Sequence, residues 1–300
     1  MTGAAVRPDT IRWYGERIDE ALVRMLDELL EGVGPQVADP VRYAVLGPGK
    51  RIRPLLLMAA CRATGGDAES AAPVACSVEF VHAYSLVHDD LPCMDDDVLR
   101  RGRPTLHVRY GTREAVLAGA ALMPLAVLAI RRGAARLGLG DPTARRLVGR
   151  LTVAAGGQGM VGGQLLDLRA EGRDVTPEEL ETIHRGKTAR LIAAACAMGG
   201  IAAGATDEQV GRLERFGTRL GLAFQATDDI LDLRGTTDEL GKESGRDAVL
   251  RKATYPAVHG LVEAERLSRA LVESAERELE GLPDPGDLRT IADWIIARRH

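Results

Sequence analysis

Apolar residues along this chain recur at spacings of three and four, with little alternation, which is the period of helices that bury one face. The sequence is rich in Ala, Leu, Arg and Glu, residues that lose little on entering a helix, and strand-like runs are hard to find. The predicted fold class is all-α. Helix starts are written locally. In "DVTPEEL", Thr176 offers a cap, Pro177 the first helical position, and Glu178 and Glu179 an acidic first turn. In "GATDEQV", Thr206 or Asp207 does the same, and "MGG" at Met198 to Gly200 reads as a stop. The most apolar run, Ala115 to Ile130, holds about 16 residues with Pro124 inside; it falls short of a membrane span and reads as a buried helix. No repeat or low-complexity linker divides the chain, so residues 1–300 are read as one domain. One stretch departs from the helical pattern: residues 234–254, polar, glycine-bearing and cationic, form a candidate mobile lid over an anion.

Composition acts mainly by exclusion. With 39 Lys plus Arg against 43 Asp plus Glu, the net charge of -4 argues against a nucleic-acid or anionic-membrane partner, so any anion site must be local. Cys61, Cys76, Cys93 and Cys196 are scattered without CxxC or metal-ligand spacing, which predicts neither a disulfide framework nor a zinc site and fits a reducing cytoplasm. The opening "MTGAAVRPDT" has no apolar leader-like core, so the expectation is a cytoplasmic protein without integral membrane association. Two motif matches fail on context. "GQGMVG", Gly157 to Gly162, fits GxGxxG but lies between helical flanks with no preceding strand, and reads as small residues that let helices approach. "GPGKRIRP", Gly47 to Pro54, lacks P-loop spacing, yet it clusters Lys50, Arg51 and Arg53 at a turn suited to gripping phosphate.

Two acidic clusters carry the chemistry. "HDDLPCMDDD", His88 to Asp97, has five acids in ten residues, and crowded carboxylates repel unless a cation joins them. "FQATDDILD", Phe224 to Asp232, sits in a helical pattern that brings Gln225, Asp228, Asp229 and Asp232 within about 100° of one another. Upstream of the first cluster, His82, Ser85 and Asp89 share a helix face; Pro92 then breaks the ladder, so Asp95 must return to Asp89 through a local bulge. Singly, each run reads as solvated surface; together they read as a metal site. Oxygen donors without Cys or His select Mg²⁺, Mn²⁺ or Ca²⁺, and Mg²⁺ takes one or two carboxylates with phosphate and water filling the rest. A polyphosphate between the clusters follows, and nearby cations suit it: Arg100, Arg101 and Arg103 after the first cluster, and His184, Lys187 and Thr188 on one face in "HRGKTAR".

These residues resemble the trans-isoprenyl diphosphate synthases, the family of farnesyl and geranylgeranyl diphosphate synthases. Residues 34–256 carry the motifs, matched in order from about Tyr43 to Pro256: "GKRIRP", "HDDLPCMD", "LRRGRPT", "GGQLLDL", "HRGKTARL", "FQATDDILD", "LGKESGRD" and "KATYP". The resemblance implies the isoprenoid synthase fold, antiparallel helices around a deep central cavity, as a homodimer. It implies head-to-tail condensation of isopentenyl diphosphate with an allylic diphosphate, using about three Mg²⁺. By matching position, Asp89, Asp95 and Asp228 would bind the metal, supported by Asp90, Asp229 and Asp232. Arg100, Lys187, Thr188, Gln225, Lys242 and Lys252 would contact the allylic substrate; Lys50, Arg53, His82 and Arg101 would grip isopentenyl diphosphate. Asp89, Asp95, Arg100, Lys187, Asp228 and Lys242 form the implied catalytic set. Metal and Lys/Arg charge placed on the leaving group would stabilise the pyrophosphate that develops as the allylic C–O bond breaks, and the resemblance implies that the departed pyrophosphate takes the proton, so no protein nucleophile is required. Pro48 stands where the family often has Gly, and Val98 where a further Asp is frequent.

Tyr84, with Ser85 beside it, would set product length. Tyr84 lies five residues before Asp89, roughly 7.5 Å down the helix. In this family a bulky aromatic there stops elongation, so farnesyl diphosphate (C15) is expected, with geranylgeranyl diphosphate (C20) as the alternative. Two further alternatives are a terpene cyclase, which shares the fold but carries a different second metal motif, and a non-catalytic regulatory subunit, which tends to have lost one aspartate-rich motif.

Overall fold

The computed structural model describes residues 9–234 and 252–297. In chain order the helices are α1 (Asp9–Leu29), α2 (Pro35–Val45), α3 (Ile52–Ala63), α4 (Ala72–Asp89), α5 (Leu106–Tyr110), α6 (Thr112–Arg136), α7 (Asp141–Ala155), α8 (Met160–Ala170), α9 (Pro177–His184), α10 (Arg190–Ala202), α11 (Asp207–Arg234), α12 (Tyr255–His259), α13 (Leu261–Glu278) and α14 (Gly286–Ile296). A two-residue ribbon, β1 (Leu99–Arg100) paired antiparallel with β2 (Arg103–Pro104), interrupts them, and a π-helical turn spans Arg185–Ala189. The all-α expectation holds.

Burial follows composition. From Leu191 to Ala202 every residue of α10 is buried, because a helix apolar all round must be enclosed; α3 lies on one side of it and α11 on the other. Here the expected helix stop fails: α10 runs through Gly199 and Gly200 and is followed by Gly204 at φ 74°. Gly199 serves packing instead, since a Cβ there would stand 2.2 Å from the Leu57 carbonyl of α3. The caps do as expected. Thr176 accepts from the Glu179 N–H while Glu179 accepts from the Thr176 N–H, a reciprocal capping box, and Thr206 pairs with Gln209 in the same manner.

The apolar run around Pro124 is longer and less enclosed than expected. It belongs to a helix of 25 residues, α6, which by length and composition alone passes for a membrane span. One side packs along α4, where a Cβ on Gly119 would meet the His88 ring and one on Gly133 the Val74 backbone, and Ala115, Ala118, Leu122 and Ala126 are buried. The other exposes Val116, Leu117 and Leu128, so α6 is half-buried. A main apolar core draws on α1 to α8, α10, α11, α13 and α14, and a smaller one joins α8, α9, α11, α12 and α13 behind the second acidic cluster.

Candidate active site

Helix α4 ends at Asp89, and Pro92 prevents its continuation. The chain folds back so that the Asp95 N–H donates to the Asp89 carbonyl at 2.8 Å and the Asp96 N–H to the Leu91 carbonyl at 3.1 Å, with Asp96 in the left-handed region at φ 51°. The expected bulge is therefore present, and it brings Asp89 and Asp95 together. Burial pushes the Asp89 carboxyl up to about 6; Asp95 and Asp90 add to that shift, and Lys187 and Arg100 oppose it. Burial likewise raises Asp90, against its bond from Arg100 Nε at 2.6 Å. Arg100 also donates to Asp97 at 3.0 Å, and Lys252 Nζ to Asp95 at 3.2 Å. Each of these cations already faces a carboxylate of the first cluster.

The second cluster needs no irregular backbone. On α11 the Gln225 amide donates to Asp229 Oδ1 at 2.8 Å, one helical turn on, and accepts from the Thr188 hydroxyl at 2.8 Å. Asp229 Oδ2 accepts the Tyr255 N–H at 2.9 Å. Asp229 and Asp232 are buried, while Gln225 and Asp228 are half-buried, so the predicted face has a deep edge and a shallow one.

Between the clusters lies the turn Arg185–Ala189, where the sequence predicted an ordinary helix face for His184, Lys187 and Thr188. The structure differs: the extra residue of a π turn separates the three roles, as π-bulges at functional sites often do. Thr188 meets Gln225. Lys187 donates to Asp167 of α8 at 2.5 Å; burial lowers its pKa, but Asp167, Asp89 and Asp95 outweigh that and hold it above the ordinary lysine value. His184 turns to the Tyr255 ring, and burial depresses its imidazole to about 4, so it is neutral. Asp167 and Tyr255 were not singled out from sequence; both lie in quoted motifs, yet their partners are remote in the chain. The "GQGMVG" glycines meet only their own neighbourhood, a Cβ on Gly159 standing 2.0 Å from the Ala154 carbonyl and one on Gly162 2.0 Å from the Gly157 carbonyl; the close approach falls to the next residue, Gly163, where a Cβ would stand 2.0 Å from the Lys187 nitrogen.

The cations expected to bind a second diphosphate also converge. His82, half-buried on α4, is held well below the ordinary histidine value by burial and then by Arg53, Arg101, Arg100 and Arg51. Arg101 Nη1 donates to the Pro48 carbonyl at 2.7 Å, and Lys50 is exposed beside it. Val98 is exposed, so the family's frequent Asp there would face solvent. Tyr84 is half-buried, its ring edge-on to His88 at 4.7 Å, and Ser85 donates to the His82 carbonyl at 2.8 Å. Lys242 and most of the candidate lid, residues 235–251, lie outside the described residues.

The donor set is hard oxygen throughout. Among the described residues no three potential ligands form a ready-made metal cage. Carboxylate oxygens at Asp89, Asp95 and Asp228 fit Mg²⁺, which accepts one or two carboxylates and completes its shell with phosphate and water.

An all-α bundle with two carboxylate clusters joined through lysine, arginine and amide partners is the arrangement of the isoprenoid synthase fold. A family profile described as polyprenyl synthetase matches residues 35–282. A farnesyl diphosphate synthase from Geobacillus stearothermophilus is 42% identical over 291 residues, covering 95% of each chain. The heterodimeric geranylgeranyl pyrophosphate synthase large subunit 1, chloroplastic, of Arabidopsis thaliana is 40% identical over 270 residues, 88% of this chain and 73% of that protein. Among solved structures, a geranyltransferase from Helicobacter pylori complexed with magnesium and isoprenyl diphosphate matches with a TM-score of 0.79 at 30% identity, covering 98% of both chains. The chain belongs to the polyprenyl synthetase family, whose farnesyl and geranylgeranyl diphosphate synthases are prenyltransferases.

Proposed function

We propose that the protein, as one polyprenyl synthetase domain in the cytoplasm, condenses isopentenyl diphosphate head to tail with dimethylallyl or geranyl diphosphate to give farnesyl diphosphate. Geranylgeranyl diphosphate is the second reading, since relatives of both kinds match. Tyr84 carries the shorter product: it is half-buried on α4, five residues before Asp89, where a growing tail would meet it.

Asp89, Asp95 and Asp228 would hold Mg²⁺, about three ions per site with Mn²⁺ able to substitute, and Asp90, Asp229 and Asp232 would support them. When bound, Mg²⁺ supplies positive charge to the diphosphate oxygens as the allylic C–O bond breaks. Lys187, Arg100 and Lys252, bonded to Asp167, Asp90 and Asp95, exchange those carboxylates for diphosphate oxygens. Thr188 and Gln225 orient the same group, and Lys242 joins them. His82, kept neutral, donates or accepts a hydrogen bond without adding to the charge of Lys50, Arg53 and Arg101 around isopentenyl diphosphate. Exposed Val116, Leu117 and Leu128 on α6, Val153 on α7 and Val161 and Leu165 on α8 support a homodimer through these helices.

Incubation with Mg²⁺, isopentenyl diphosphate and each allylic starter tests the reading. Chain growth to C15 is expected; a cyclised hydrocarbon or no turnover would defeat it. In Tyr84→Ala, chromatography of dephosphorylated products should show longer chains, and an unchanged distribution removes Tyr84 from length control.

A further inference from the structure

The loop between α2 and α3 carries Lys50 and leads into Arg53, yet the residue that follows Lys50, Arg51, faces the other way. Arg51 is 7% exposed and left-handed at φ 51°, a conformation a non-glycine residue keeps only where its surroundings hold it. Its three guanidinium nitrogens reach three different elements: Nε donates to Asp19 Oδ1 of α1 at 2.9 Å, Nη1 to Glu79 Oε1 of α4 at 2.7 Å, and Nη2 to the Gly47 carbonyl at 2.8 Å. Arg101, left-handed as well at φ 53°, donates to the Pro48 carbonyl at 2.7 Å. Two successive loop carbonyls are thus tied to two guanidinium groups. Gly49 passes between them, and a Cβ there would stand 2.5 Å from Arg101 Nη1 and 3.3 Å from Arg51 Nη1.

Charge points to the same conclusion. Arg51, Arg53, Arg100 and Arg101 all act on His82, and such crowding of cations needs a buried countercharge. Glu79 supplies it, 3% exposed and one helical turn before His82. Its charge acts on both Arg51 and Arg101. We propose that Arg51 and Glu79 are positioning residues that build the isopentenyl diphosphate grip from behind: Glu79 fixes Arg51, and Arg51, with Arg101, fixes the path of the loop that presents Lys50 and Arg53. The inference rests on reading Lys50, Arg53 and His82 as that grip. Neither Arg51 nor Glu79 touches substrate, so their loss acts on affinity for one substrate and leaves the metal clusters intact.

Steady-state kinetics with each substrate varied separately tests this on the full chain. Glu79→Gln and Arg51→Lys raise KM for isopentenyl diphosphate about tenfold or more, with kcat and the allylic KM within about threefold: the first removes the charge that fixes Arg51, and in the second an ammonium, its three donors on one nitrogen, cannot span the acceptors on α1, α4 and the loop that a planar guanidinium reaches. Breaking a buried pair is also destabilising, so Gly49→Ala is the second variant: it leaves the pair's charges in place, displaces both guanidinium groups, and gives the same one-sided rise in KM. Arg53→Met separates the two readings. If Arg53→Met raises the isopentenyl diphosphate KM while folded Gly49→Ala does not, the positioning role is overturned and the grip stands. If Arg53→Met leaves that KM unchanged, the grip and the inference both fall.

Discussion

The two acidic clusters reach similar chemistry by opposite backbone routes. At the end of α4, Pro92 stops the helix and a bulge returns Asp95 to Asp89, six residues back. On α11 an unbroken helix places Gln225 and Asp229 one turn apart. Their partners differ too. Arg100 and Lys252 pair with carboxylates of the first cluster, and among the described contacts of Asp229 are the Gln225 amide and the Tyr255 N–H. Arg and Lys bind phosphate as well as carboxylate, so the cations of the first cluster can turn to an incoming diphosphate, while the amide and backbone N–H hold the Asp229 carboxylate where the helices place it. On the proposed function, the first cluster would be the exchangeable half of the site and the second its frame.

Asp89→Asn is the strongest attempt to break that comparison. Turnover should fall about a thousandfold or more, a scale set by losing charge stabilisation in the transition state. Stability should move the other way. An unfolded Asp titrates near 3.9, and Asp89 in the fold near 6, so the fold binds the extra proton between those values and loses stability as pH rises through that window. At pH 7 the metal-free variant should be about 1–3 kcal/mol more stable than the parent, a gain that vanishes at pH 4. Melting curves of metal-free protein check this, and equal stability at pH 7 would contradict it.

A middle-sized effect comes from the frame. Gln225→Leu removes the amide that joins Thr188 to Asp229 and should cost about 10- to 100-fold in kcat, the range for one positioning contact. Asp97→Asn, which weakens one of several bonds to Arg100, should cost less than tenfold; a reversed order would refute the division of roles.

The last effect is on stability, not on turnover. His184 titrates near 4 in the fold against about 6.5 unfolded, so the fold resists protonation; its contribution is complete above pH 6.5 and is lost as pH falls toward 4. Up to about 3 kcal/mol is at stake. His184→Phe should flatten denaturant-measured stability between pH 6.5 and 4, and an unchanged slope would show that His184 is not the group responsible.

Much of this was legible from local rules. Pro92 announced the bulge, periodicity placed Gln225, Asp228, Asp229 and Asp232 on one face, and Thr176 wrote its capping box, because each depends on neighbours within a few residues. The failures share the opposite property. Gly199 was taken for a helix stop because nothing nearby reveals how closely α3 passes. The π turn at Arg185–Ala189 carries spacings that read as ordinary helix, and its extra residue answers to Asp167 and Gln225, which approach only through tertiary packing. Arg51 had the composition of a phosphate ligand, and only the positions of Asp19 and Glu79 turned it inward. For the same reason α6 was foreseen as buried although one of its faces is open.

On the proposed function, the two clusters act as one clamp on a single metal-bound diphosphate. Mg²⁺-dependent turnover of Asp89→Asn, Asp228→Asn and the double variant measures it most directly. A clamp that fails when either half is lost predicts a double variant about as slow as the slower single one. Losses that multiply would mean two independent sites and would contradict the account.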